Sequence, residues 1–156
     1  MPITYLSQEG RDKLISELEE LKTTGRQEAA QAIGEAREKG DLSENAEYDA
    51  AKEAQGMLEL RINEIETVLG NAQVMQTDNI DTSKVGIFTK VKLKNIKVNK
   101  EFTYTLVSEA EANLKEKKIS ITSPIGRGLL GKKMGEIADI TTPAGQIKME
   151  ILEISL

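Results

Sequence analysis

Lys39-Gly40-Asp41-Leu42-Ser43 interrupts the first half of the chain, and its reading decides the fold. Glycine stands there where a helix C-terminus calls for one, and the pentapeptide as a whole is a turn signal. Ahead of it, Leu14, Leu18 and Leu21 open a four-three spacing that Ala29, Ala32 and Ala36 resume after Gly25. Beyond it, Ala51, Ala54, Leu58, Ile62, Ile65, Leu69 and Ala72 follow at three- and four-residue steps. Two apolar stripes of helical period on either side of one turn make the seam of an antiparallel coiled coil. A helix of about 30 residues is on the order of 45 Å long, so the first half reads as a rod. Alanines crowd toward the turn (Ala29, Ala30, Ala32, Ala36, Ala46, Ala50, Ala51, Ala54). A seam built of them would be slim and would bury little apolar area, although alanine is also simply the best helix former.

The composition changes after Gln76. Residues 1–76 carry 8 basic and 16 acidic side chains, whereas residues 77–156 carry 13 basic and 10 acidic ones. An acidic arm joined to a mildly basic module predicts two domains, 1–76 and 77–156. In the second half, residues 87–94, 101–107, 119–122, 137–141 and 146–154 alternate as half-buried strands do. Thr142-Pro143-Ala144-Gly145 is hairpin chemistry. Ser123 as N-cap, Pro124 at the first helical position, Leu129 and Leu130 inward and Gly131 as the stop predict one short helix. The fold class is α+β: a long antiparallel α-helical coiled coil, then an antiparallel β-sheet domain with one short helix.

The 156 residues include no cysteine and no histidine. That excludes a disulfide framework, a zinc finger, a thiol nucleophile and any histidine base, and leaves oxygen ligands for metal chemistry. No segment approaches a membrane span, and Met1-Pro2-Ile3-Thr4-Tyr5 lacks the basic start and apolar run of a signal peptide. A cytoplasmic location is the expectation.

Asp41 and Glu44 admit two readings. Their three-residue spacing is that of a capping box for the second helix. The same carboxylates, ionised at neutral pH, can hold a hard cation or position a water. Two carboxylates are too few for a magnesium site, so on that reading they form half of one.

The segment Gly40-Asp41-Leu42-Ser43-Glu44-Asn45-Ala46-Glu47-Tyr48, within residues 35–53, resembles the tip motif of the GreA/GreB family of bacterial transcript cleavage factors. Ser123-Pro124-Ile125-Gly126-Arg127-Gly128-Leu129-Leu130-Gly131, within residues 119–132, is similar to that family's C-terminal signature. The resemblance covers essentially the whole chain and is strongest to the GreA branch. It implies an FKBP-like C-terminal domain that docks on bacterial RNA polymerase at the rim of its secondary channel, with Ser123, Pro124 and Ile125 matching the docking loop. It implies that the coiled coil enters the channel and stimulates the polymerase's own cleavage of backtracked nascent RNA. On this resemblance Asp41 and Glu44 act catalytically within the polymerase and share a magnesium ion with it. Arg37 and Lys52 match a basic patch that meets the RNA 3′ end, and Asn45 and Tyr48 support the tip. The factor would be a monomeric cofactor of an enzyme rather than an enzyme, with no tightly bound cofactor of its own and no membrane contact. Ser43 departs from the lysine that many relatives carry there, which weakens the local positive field. Prolyl isomerase activity is not expected, since the second half offers only Phe88, Phe102 and Tyr104 to line a pocket. The competing expectations are a family member that occupies the channel and inhibits, and a coiled-coil adaptor unrelated to the polymerase.

Overall fold

The computed structural model describes residues 3–40, 45–76 and 80–156. The chain divides into two compact units, Arg11–Ala72, and the residues up to Gly10 together with Gln73–Leu156. Among the described residues no helix is long and apolar enough to cross a membrane.

The first unit is helical. Helix α1 (Gln8–Glu20) runs through a π-helical turn at Leu21–Gly25 into α2 (Arg26–Glu38), and α3 (Ala46–Gly70) returns. Partners fall in number on the return as they rise on the way out, so the two arms are antiparallel. Glu17 bonds Arg61, Gly25 lies against Leu58, and Arg37 meets Tyr48. Tyr48, Ala51, Gln55, Leu58, Ile62, Ile65 and Leu69 turn inward on α3, in unbroken three-four alternation. On the outgoing arm the inward positions are Leu14, Leu18, Leu21, Gly25, Ala29, Ile33 and Ala36. From Leu21 to Ile33 these step by four. The π turn absorbs the change of phase, because each of its turns takes up an extra residue.

That phase change corrects the expected seam. Ala30, Ala32, Ala46, Ala50 and Ala54 are exposed, and Ile33 and Gln55 take the places expected for Ala32 and Ala54. Five of the eight alanines near the turn therefore serve as helix formers on the solvent side, and only Ala29, Ala36 and Ala51 belong to the seam.

The second unit holds two sheets. Strands β1 (Thr4–Leu6) and β2 (Ala72–Val74), neither legible as a strand in the sequence, pair with each other. Five more form a sheet in the order β5-β4-β3-β7-β6: β3 (Lys90–Asn95), β4 (Lys100–Val107), β5 (Lys118–Ser120), β6 (Ile137–Thr142) and β7 (Gly145–Ser155). Val91, Leu93, Leu106, Ile140 and Ile151 are fully buried on one face, where Leu129 of α4 (Pro124–Leu129) joins them.

Three local expectations are corrected here. The sheet is not wholly antiparallel, since β5 runs parallel to β4 over Thr105↔Lys118, Leu106↔Ile119 and Val107↔Ser120. The ten-residue connection, with 3₁₀ turns at Glu109–Glu111 and Leu114–Glu116, carries the chain back so that it re-enters in the same direction. Strand β3 begins at Lys90 rather than at residue 87. Phe88 adopts φ 67, and the Thr89 hydroxyl, which donates to Gly86 O at 2.6 Å, closes a turn there. Leu130 points outward, 40% exposed, because it is already past the helix and extended at ψ 130. The hairpin joining β6 to β7 is as expected, with Thr142 paired to Gly145.

Candidate functional site

Asp41 and Glu44 lie outside the described residues, with Leu42 and Ser43. The frame on both sides of them is described. Helix α2 closes with Lys39 N donating to Ala36 O at 3.2 Å, and Gly40 follows at φ +147, a conformation a side chain would strain. Helix α3 begins on Asn45, whose Oδ1 accepts from Glu47 N at 3.0 Å and from Tyr48 N at 3.1 Å. Its Nδ2 donates to the Ala36 carbonyl. One side-chain amide thus caps the start of α3 and gives a second donor to a carbonyl at the end of α2. Glu47 and Asp49 place negative charge in the first turn of α3, where the helix dipole favours it.

The basic residues expected at this end differ in their company. Arg37 is exposed, and its guanidinium carbon stands 5.8 Å from the centre of the Tyr48 ring. Lys52 is also exposed but turns along its own helix, donating to Gln55 Oε1 at 3.1 Å. The structure therefore groups Arg37, Asn45 and Tyr48, with Lys52 one turn further along α3. Sequence reasoning missed Lys39, whose ammonium pairs with Glu47 at 3.1 Å across the same junction. The signal was available in the opposite charges that flank the turn.

In the second unit Ser123 caps α4 as expected. Its hydroxyl accepts from Gly126 N at 3.0 Å and donates to Ser120 O at 2.6 Å. Pro124 occupies the first helical turn and is exposed, whereas Ile125 is half-buried against the core. Gly126 is held against the chain before it, where a Cβ would collide with Ser120 O. Arg127 Nε, on the exposed side, donates to Thr122 O at 2.6 Å.

Residues 4–74 match the family model described as transcription elongation factor, N-terminal, and residues 80–156 match that described as transcription elongation factor, GreA/GreB, C-terminal. The chain belongs to the GreA/GreB family of transcription elongation factors. Transcription elongation factor GreA of Amoebophilus asiaticus is 59% identical over 153 residues, covering 98% of each chain. Transcription elongation factor GreA of Flavobacterium johnsoniae is 56% identical over 153 residues, covering 98% of this chain and 97% of its own. Among solved structures, GreA factor homolog 1 of Thermus thermophilus is 28% identical, covers 99% of both chains and has a TM-score of 0.46. As a GreA/GreB member the protein functions as a transcription elongation factor. Its junction of α2 and α3 lies within the first family match and its α4 within the second.

Proposed function

We propose that the protein binds bacterial RNA polymerase, enters the secondary channel with its helical hairpin and stimulates the polymerase's intrinsic cleavage of backtracked nascent RNA. The carrying observation is near-full-length similarity at 59% identity to a transcription elongation factor GreA, with the acidic pair falling in sequence between α2 and α3. The hairpin acts as an antiparallel coiled coil. The C-terminal unit acts as an FKBP-like docking domain, with Ser123, Pro124 and Ile125 on the polymerase side.

Asp41 and Glu44 are the residues that would hold magnesium, together with carboxylates of the polymerase. The donor set fits a shared site: both groups are hard oxygen ligands, and two are fewer than the roughly six that magnesium takes. Among the described residues no further cluster of three metal-ligating side chains exists. When bound, the ion supplies activation of an attacking water and charge stabilisation at the leaving oxygen. The capping role weighed for Asp41 is filled by Asn45, which supports a functional role for the acidic pair. Arg37 and Lys52 approach the phosphates of the extruded RNA, and Asn45 and Tyr48 keep the helix ends together beneath the tip. The bond is broken in the polymerase, so the factor is a monomeric cytoplasmic cofactor that carries no tightly bound group of its own.

The test is a backtracked elongation complex on labelled RNA, treated with the native protein, Asp41→Asn or Glu44→Gln. The native protein should release short 3′ fragments, and the variants should bind and not cleave. Binding without fragments from the native protein would replace this reading with that of a channel inhibitor. Full cleavage by both variants would remove the acidic pair from the mechanism.

A further inference from the structure

Strand β4 is longer than its neighbour on one side. It pairs with β3 from Lys100 to Thr105, but β5 covers only Thr105, Leu106 and Val107. Among the described residues no strand lies against residues 100–104 on the β5 side. The Thr105 amide donates outward to Lys117 O at 2.9 Å. Backbone groups alternate sides along a strand, so Thr103 and Glu101 turn their N–H and C=O to that same open side.

The edge opens into a cavity of about 560 Å³ lined by Lys92, Lys100, Phe102, Tyr104, Leu114 and Lys117 among others. A second cavity of about 480 Å³ shares Lys92, Thr103 and Lys117 with it and adds Lys90 and Glu153. Four lysines stand along the combined groove against two glutamates, Glu101 and Glu153. One of these, Glu101, pairs with Lys92 only at 3.7 Å. Leu114, 78% exposed, and the half-buried rings of Phe102 and Tyr104 supply apolar surface along the groove.

We infer that this edge accepts an extended acidic peptide segment of a partner protein, added to the sheet as a further strand beside residues 101–103. Strand addition takes its affinity from main-chain hydrogen bonds and its specificity from the flanking side chains. Here the open N–H and C=O groups supply the first and the lysines supply the second. A single-stranded nucleic acid fits less well. Phe102 and Tyr104 lie against each other at 6.2 Å, and Lys100 Nζ already stands over the Phe102 ring at 5.5 Å, where a base would have to displace it. The edge belongs to the second unit, and the inference does not depend on the cleavage reading.

The test uses the full chain and a fluorescent, end-blocked heptapeptide alternating glutamate and valine, read by anisotropy. The peptide should bind, and its lysine–valine counterpart should not. Lys92→Glu and Lys117→Glu should each weaken binding about tenfold, as removal of complementary charge does. N-methylation of alternate peptide amides should abolish binding to the native protein. Thr103→Pro should do the same, because it removes an edge donor without touching the β3 ladder. Equal binding of the methylated peptide would overturn strand addition even if the proline variant failed to fold. No binding of the glutamate peptide, or preferential binding of an oligothymidylate of the same length, would overturn the peptide assignment.

Discussion

The guanidinium of Arg37 and the ring of Tyr48 hold each other across the helix junction, 5.8 Å apart. One belongs to the last turn of α2 and the other to the first turn of α3. Their contact adds to the Asn45 clasp between the same two turns. A double-mutant cycle of Arg37→Ala and Tyr48→Leu, read by chemical denaturation, should give a coupling of about 0.5–1 kcal/mol, the range of an exposed cation–π pair. A coupling of zero would mean that the two side chains merely pass near each other.

Asn45 should matter more than its exposed neighbours. Asn45→Ala removes a helix cap and one of the two donors to the Ala36 carbonyl, leaving only Lys39 N, so a loss of about 1 kcal/mol is expected. Asn45→Asp keeps the acceptor for Glu47 N and Tyr48 N and loses only the donor to Ala36. It should therefore fall between the two. Thermal unfolding followed by circular dichroism distinguishes the three proteins, and equal melting of all three would dismiss the clasp.

The ion pair between Arg26 and Glu59 predicts a response to acid. The guanidinium holds the Glu59 carboxyl below its usual range, chiefly by hydrogen bonds at 2.9 and 3.0 Å. A depressed folded value means that the contribution is present above the unfolded value of about 4.3. It is lost as pH falls through the folded one. Stability of the native protein should therefore drop more between pH 5 and acid conditions than that of Glu59→Gln, and added salt should shrink the difference. Parallel acid titrations of the two would refute the linkage.

Gly126→Ala should be severe for so small a change. A methyl group there meets the Ser120 carbonyl and, at 3.0 Å, the Ile121 Cα, both backbone atoms that cannot swing aside. Overpacking of this kind costs about 1–3 kcal/mol. Denaturant unfolding of the variant should show the loss, and a polymerase-binding assay should show weaker docking in step with it.

Much of this architecture is legible in the amino-acid sequence. The turn after Lys39, the antiparallel arms, the Ser123 cap and the hairpin at Thr142 and Gly145 all rest on local chemistry, and local chemistry is what a sequence displays. Ile33 and Gln55 were missed because the π turn shifts the phase of the outgoing helix, and because both Ala54 and Gln55 satisfy helical spacing. Strands β1 and β2 are three residues long and lie far apart in the chain, so no alternation could announce them. The parallel entry of β5 depends on where a ten-residue connection leads, which composition does not encode. Asp41 and Glu44 are proposed from the motif alone and lie outside the described residues, whereas Asn45 as the cap of α3 is simple propensity. The Arg37–Tyr48 contact needed the antiparallel register to bring the two residues together.

The bond between Ser7 and Glu111 sets an order of events in synthesis. The Glu111 carboxylate accepts from Ser7 N at 3.0 Å and from the Ser7 hydroxyl at 2.6 Å, across a separation of 104 residues. Residues up to Gly10 thus belong to a unit whose remainder, Gln73–Leu156, is synthesised only after the helical arms. The helical arms can zip together as soon as α3 has emerged, since their contacts are mutual and near in sequence. Strand β1 can pair with β2 as soon as α3 is out, but Ser7 has to wait for Glu111. A fragment beginning at residue 73 would lack that opening segment altogether. It should fold poorly by itself and recover when a peptide of the first ten residues is supplied in trans.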